Sequence, residues 1–181
     1  MLARSCATIE DLYQVDGKAE LVNGEIVRMP PTGDEPGRSG GVIFMRLFQY
    51  EKETGSGRAY PDNVGFHVKL PHRESFSPDA AFHTGPRTGM KFLEGAPIFA
   101  VEVRSEGDYG PAAEREMAQK RADYFATGTQ VVWDVDLKSR DVIRSYWADA
   151  PDRPTVFRRG EVADAEPALP GWRFVVDELF D

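Results

Sequence analysis

Pro97-Ile98-Phe99-Ala100-Val101-Glu102-Val103 is the most hydrophobic run of the chain, broken only by Glu102. Its length and apolar content are those of a central strand buried on both faces. A helix is expected to follow over 111–126, with Pro111 in its first turn and Gly128 closing its C-terminus. Gln130-Val131-Val132-Trp133-Asp134-Val135 is then a second apolar strand. Strand, helix, strand is the signature of a crossover unit in a mixed sheet.

Upstream, Leu21-Val22 and Ile26-Val27 flank Asn23-Gly24, which predicts a hairpin with a type I′ turn. Thr8-Ile9-Glu10-Asp11 has capping-box spacing and predicts a short helix to about Val15. Pro30-Pro31-Thr32-Gly33 interrupts the chain. A longer helix is expected over 38–54, with Ile43, Leu47 and Tyr50 inward and Gly55 and Gly57 at its end. Short strands are expected over 64–68, 79–82, 142–147 and 155–158, and the tail from Pro170 to Phe180 should pack back on the body. The expected class is α/β of a mixed α+β kind: a mixed β-sheet flanked by helices, with an N-terminal β-hairpin. A chain of 181 residues fits one domain, 1–181.

Hydrophobic residues make up 41% and charged residues 29%, ordinary for a globular chain, so disorder is not expected. No run of eighteen apolar residues occurs, so no membrane partner is expected. Residues 1–10 lack a signal-peptide pattern. Cys6 stands alone, which excludes an intramolecular disulfide and argues against a cysteine zinc site. A cytoplasmic location is the plain expectation. The net charge of −8 argues against non-specific adhesion to nucleic acid. It is compatible with a site that gathers carboxylates around a metal ion, which neutralises part of them.

Glu102 is the informative charge, because it lies inside an apolar strand. A buried carboxylate must be paired, protonated or bound to a cation. Strand alternation would place Ile98, Ala100, Glu102 and Arg104 on one face, so a structural Glu102–Arg104 ion pair is one reading. Asp79 follows Pro78 at the start of a short strand. It is either a common turn residue or a second carboxylate meeting Glu102 across the sheet. In the second case Asp79, Glu102 and a backbone carbonyl such as that of Val103 would form a half-shell for Mg²⁺. On the following helix, Ala113, Met117, Lys120 and Tyr124 fall in one arc, while Gln119 and Asp123 should point away. Lys120 either snorkels or reaches Asp79 and Glu102, where an ammonium would orient water or stabilise a phosphate. Of the hairpin acids, Glu25 belongs to the turn and Glu20 lies nearer the sheet.

In order, Ala19-Glu20-Leu21-Val22-Asn23-Gly24-Glu25-Ile26-Val27, Gly65-Phe66, Pro78-Asp79, Val101-Glu102-Val103, Lys120 with Tyr124 and Gly128, Val132-Trp133-Asp134-Val135-Asp136 and Leu169-Pro170-Gly171-Trp172 resemble the restriction endonuclease-like family of PD-(D/E)XK nucleases. The resemblance spans nearly the whole chain. It implies a restriction endonuclease-like core and a metal-dependent endonuclease that hydrolyses DNA, working as a homodimer. It implies that Asp79 and Glu102 ligate Mg²⁺ or Mn²⁺, that Glu20 is the acid contributed from the N-terminal region, and that Lys120 is the catalytic lysine. The superfamily signature places lysine two residues after the glutamate, and here that position is Arg104. Either Arg104 or the helix-borne Lys120 would then be the working cation. A non-catalytic module binding nucleic acid or protein on the same fold is the alternative, and a metal-free salt-bridge cluster is another.

His67, His72 and His83 lack zinc-ligand spacing and are expected to be structural or solvated. Gly37 to Gly41 lacks the Gly-Lys-Ser/Thr of a P-loop. Arg121 is expected at the surface or an interface, and Gly107-Asp108-Tyr109-Gly110 as a plain loop before the helix.

Overall fold

The computed structural model describes residues 6–181; residues 1–5, the start of the expected domain, lie outside the described residues. Thr8 caps helix α1 (Ile9–Leu12): its hydroxyl accepts from the Asp11 amide, and the Asp11 carboxylate accepts from the Thr8 amide at 2.8 Å. The helix stops at Leu12, short of the expected Val15. Strands β1 (Ala19–Val22) and β2 (Glu25–Arg28) form the hairpin. Asn23 and Gly24 have φ of 53° and 70°, the left-handed pair a type I′ turn requires. A Cβ at Gly24 would come within 2.9 Å of the Cys6 side chain. Gly24→Ala is therefore expected to destabilise the protein by about 1–2 kcal/mol, read as a lower urea midpoint.

Helix α2 (Asp34–Thr54) starts four residues before the expected Arg38. Pro36 is no obstacle, because the first turn has no intrahelical acceptor for its missing amide. Ile43, Leu47 and Tyr50 face inward, and Gly55 at φ 62° ends the helix.

The remaining elements are β3 (Arg58–Pro61), β4 (Phe66–Leu70), β5 (Arg73–Phe76), β6 (Ala80–His83), β7 (Leu93–Glu94), β8 (Phe99–Val103), α3 (Pro111–Ala126), β9 (Val131–Val135), β10 (Ile143–Trp147), β11 (Ala150–Phe157), β12 (Val162–Ala163), β13 (Phe174–Val175) and a 3₁₀ turn (Val176–Phe180). The fold is mixed α/β with helices flanking mixed sheets. The strands divide between a five-stranded sheet, β2-β1-β5-β4-β7, a six-stranded sheet, β11-β10-β9-β8-β6-β3, and the small pair β12-β13. The unit β8-α3-β9 is a crossover with parallel strands, Val101 opposite Trp133 and Glu102 opposite Asp134.

Side-chain alternation in β8 and β9 builds two cores. Phe99, Val101, Val103, Val131, Trp133 and Val135 pack with α2 and the C-terminal tail. Trp172 and Phe174 of that tail lie 5.3 and 5.8 Å from the Trp133 ring, so the tail returns as expected. Ala100 and Val132 face the other way, against Phe66 and Phe76 of the five-stranded sheet and Tyr124 of α3. Ile98 packs in the first core, not on the Ala100 face, because the strand begins only at Phe99. Glu102 is the next residue after Ala100 on the inter-sheet face, so its carboxylate emerges where β8, α3 and the hairpin meet.

Candidate functional site: a carboxylate and lysine cluster

Four elements bring their charges together. Lys120 of α3 places its Nζ 2.9 Å from Glu102 Oε1 and 2.9 Å from Glu20 Oε1. Glu20 also accepts the Ser77 amide (2.9 Å) on Oε1 and the Arg73 guanidinium (2.6 Å) on Oε2. Asp79 ties itself to both neighbours of Glu102: its amide donates to Val101 O (3.0 Å), and its Oδ2 accepts the Val103 amide (2.7 Å). Asp79 Oδ1 accepts from Lys18 Nζ at 2.7 Å. Tyr124 donates its hydroxyl to Glu102 Oε1 at 2.7 Å, and its ring stacks on Phe76 at 3.9 Å. The Glu102 side chain remains 27% exposed.

The electrostatics separate the two glutamates. Burial alone would push Glu20 up, but Lys120 and Arg73 outweigh it and hold its carboxyl at about 2. Burial pushes Glu102 up; Lys120 opposes this, Asp79 and Glu20 reinforce it, and the net direction is upward. Burial pulls Lys120 down, but Glu102 and Glu20 more than compensate and hold it above its ordinary value. An ammonium so held is a donor and a charge, not a base at neutral pH.

Glu20, Asp79, Glu102 and Lys120 lie in one cluster. The Glu102–Arg104 ion pair does not form. Arg104 instead donates to Asp134 from Nε (2.8 Å) and NH2 (2.7 Å), and also pairs with Glu114. It is thus already committed to partners outside the cluster. Asp123, expected to point away, is buried and accepts from Arg73 (2.8 Å) with His72 at 2.7 Å; at about 100° per residue it lies only about 60° around the helix from Lys120, on the edge of the same face. Arg121 is half-buried, with its guanidinium over the Tyr146 ring at 4.0 Å. His67 stands 3.1 Å from Glu94, and His83 is buried against the Glu94 carbonyl. Two participants escaped the sequence reading. Lys18 precedes Glu20 by two, the spacing of one strand face, and that signal was available. Arg73, two residues after Pro71, carried no such signal.

A family model described as "Putative restriction endonuclease" matches residues 7–177. The chain belongs to the Uma2 family. A solved structure of a "putative nuclease belonging to DUF820" from Anabaena variabilis ATCC 29413 is similar at TM-score 0.74 and 14% identity. The similarity covers 96% of this chain and 97% of the Anabaena chain, and at that identity it speaks to the fold. No curated protein matches. No helix among the described residues of this Uma2 chain is long and apolar enough to cross a membrane.

The donor set suits a hard divalent cation: Asp79 and Glu102 offer carboxylate oxygens, and Mg²⁺ typically takes one or two carboxylates and keeps several waters. Glu20 is the most heavily claimed of the three acids, with Arg73, Ser77 and Lys120 on its oxygens, and Asp79 also has both oxygens claimed, by Lys18 on Oδ1 and by the Val103 amide on Oδ2. Among the described residues no three acidic, histidine or cysteine side chains group as a metal site by themselves. Any ion would therefore rest on two carboxylates, backbone and water.

Proposed function

We propose that this Uma2 chain is a divalent-metal-dependent endonuclease that hydrolyses phosphodiester bonds of DNA. Asp79 and Glu102 would hold Mg²⁺ or Mn²⁺, with the Val103 carbonyl completing the half-shell. Bound there, the ion supplies a water of lowered pKa and polarises a phosphoryl oxygen. Tyr124 holds Glu102 by Oε1. Lys120 remains protonated and offers its ammonium to the negative charge that grows on the phosphate. Glu20 positions Lys120, and Arg73 and Ser77 in turn fix Glu20. One such site opens one strand, so cutting both strands calls for a homodimer. The observation that carries the reading is the low-exposure meeting of Asp79, Glu102 and Lys120 on the frame of a nuclease family.

A specific observation favours a second reading, a non-catalytic binding module. Both proposed ligands already carry ammonium partners, Lys18 on Asp79 and Lys120 on Glu102. Metal titration followed by cleavage assays separates the two. At a Mn²⁺ concentration about a hundredfold above Kd, the melting temperature of the wild-type protein should rise by about 5–10 °C. Asp79→Ala should abolish that rise. Supercoiled plasmid or single-stranded DNA should be cut by the wild type with Mn²⁺ and spared when EDTA is added. Metal binding with intact DNA would leave the module standing and remove the nuclease.

A further inference from the structure

We propose that Lys18 is a displaceable counter-cation that occupies the ion-facing oxygen of Asp79 and retreats onto Asp62 when a divalent cation binds. The inference rests on the metal-dependent reading above and adds to it a residue that regulates the site. Asp79 has two oxygens with different duties. Oδ2 is fastened to the Val103 amide at 2.7 Å, part of the strand frame, so Oδ1 is the oxygen left for a ligand. That oxygen holds Lys18 Nζ at 2.7 Å. The same ammonium lies 2.6 Å from Asp62 Oδ1.

The two carboxylates differ in exposure. The Lys18 side chain is 12% exposed and that of Asp79 15%, whereas that of Asp62 is 43% exposed, in the turn after β3. Lys18 thus stands between a sheltered acceptor and a solvated one, already within bonding distance of both. Asp62 has no place in the proposed ion's donor set. Its position gives Lys18 somewhere to keep a charge partner when Asp79 is claimed by another cation. An ammonium and a dication on one carboxylate oxygen repel each other strongly at such separations. The ion therefore binds only as fast and as tightly as Lys18 yields. In the absence of the ion, Lys18 keeps Asp79 from standing as an uncompensated, sheltered charge. Glu102 shares in the arrangement, since Lys18 also acts on it electrostatically.

Two variants pull the equilibrium in opposite directions. Lys18→Met removes the competitor and should bind Mn²⁺ at least tenfold more tightly than the wild type, by isothermal titration or by the electron paramagnetic resonance signal of free Mn²⁺. Asp62→Asn removes the retreat and should bind Mn²⁺ several-fold more weakly, with unchanged circular dichroism. Both variants also change the local charge, so a crystal of the wild-type protein soaked in Mn²⁺ provides the deciding geometry. Lys18 Nζ should then lie on Asp62 and beyond hydrogen-bond distance of Asp79 Oδ1. Wild-type binding with no gain in Lys18→Met, or an ammonium still on Asp79 beside the ion, overturns the role of Lys18 alone. No Mn²⁺ binding by any of the three proteins overturns the metal reading, and this inference with it.

Discussion

Lys120→Met is expected to destabilise the protein by about 3–5 kcal/mol at pH 7, the usual cost of removing one partner of a buried charge cluster. Lys120 sits 2.9 Å from both Glu20 and Glu102, so its loss leaves two carboxylates of low exposure with less compensation. Arg73 still serves Glu20, whereas Glu102 retains only the Tyr124 hydroxyl and the more distant Lys18. The pH dependence gives the cause away. In the wild type Glu20 titrates at about 2 when folded and near its ordinary value of 4.5 when unfolded. It contributes about 3 kcal/mol above pH 4.5, and that contribution is lost as pH falls toward 2. In Lys120→Met the folded values of both glutamates move upward: Glu20 loses part of its stabilising contribution, and Glu102, already raised, binds its proton still more readily in the folded state than in the unfolded one. The variant then loses stability as pH rises above about 4.5, and its deficit against the wild type widens toward neutrality. Urea denaturation at pH 4.5, 5.5 and 7 measures this. A deficit independent of pH would mean that Lys120 contributes packing and not charge.

How far the sequence discloses this site depends on the residue. The crossover β8-α3-β9 was legible because an apolar run, a proline-opened helix and a second apolar run leave few other arrangements. The bounds of α3 match the expectation at both ends. Glu102 was legible because a carboxylate within such a run demands a partner. The identity of the partner was not, since Lys120 and Arg104 satisfy the same demand in sequence. Only the packing of α3 over the inter-sheet face decides it: Lys120 reaches Glu102, and Asp134 and Glu114 hold Arg104. Strand β5 was missed because Arg73-Glu74-Ser75-Phe76 begins with a charge after a proline turn. In the fold that charge is buried, neutralised by Glu20 and Asp123. Single-sequence patterns assign arginine to solvent, and they miss strands whose polar members are satisfied by residues fifty positions away. The division into two sheets was hidden for the same reason, because it depends on which strand edges pair and not on any one strand's composition.

Glu102→Gln is expected to separate folding from function: metal-dependent DNA cleavage should fall by at least about a thousandfold while stability stays within about 1 kcal/mol of the wild type. Burial pushes the Glu102 carboxyl up in the folded protein, so its charge opposes folding above the unfolded value, an opposition relieved as pH falls. Glutamine is the same size, carries no charge at any pH and keeps an oxygen for the Tyr124 hydroxyl, while Lys120 retains Glu20. The lost Lys120 pairing and the relieved desolvation therefore roughly cancel. Glu20→Gln is the contrasting case. Its carboxyl is held at about 2 by Lys120 and Arg73, so the substitution should lose about 3 kcal/mol near neutral pH. A carboxylate whose charge stabilises the fold needs no function to explain it. One whose charge costs the fold calls for another explanation, and the proposed metal would supply it. If Glu102→Gln instead destabilised the protein as much as Glu20→Gln and left Mn²⁺ affinity unchanged, Glu102 would be a member of a structural ion-pair cluster, and the nuclease reading would lose its metal ligand.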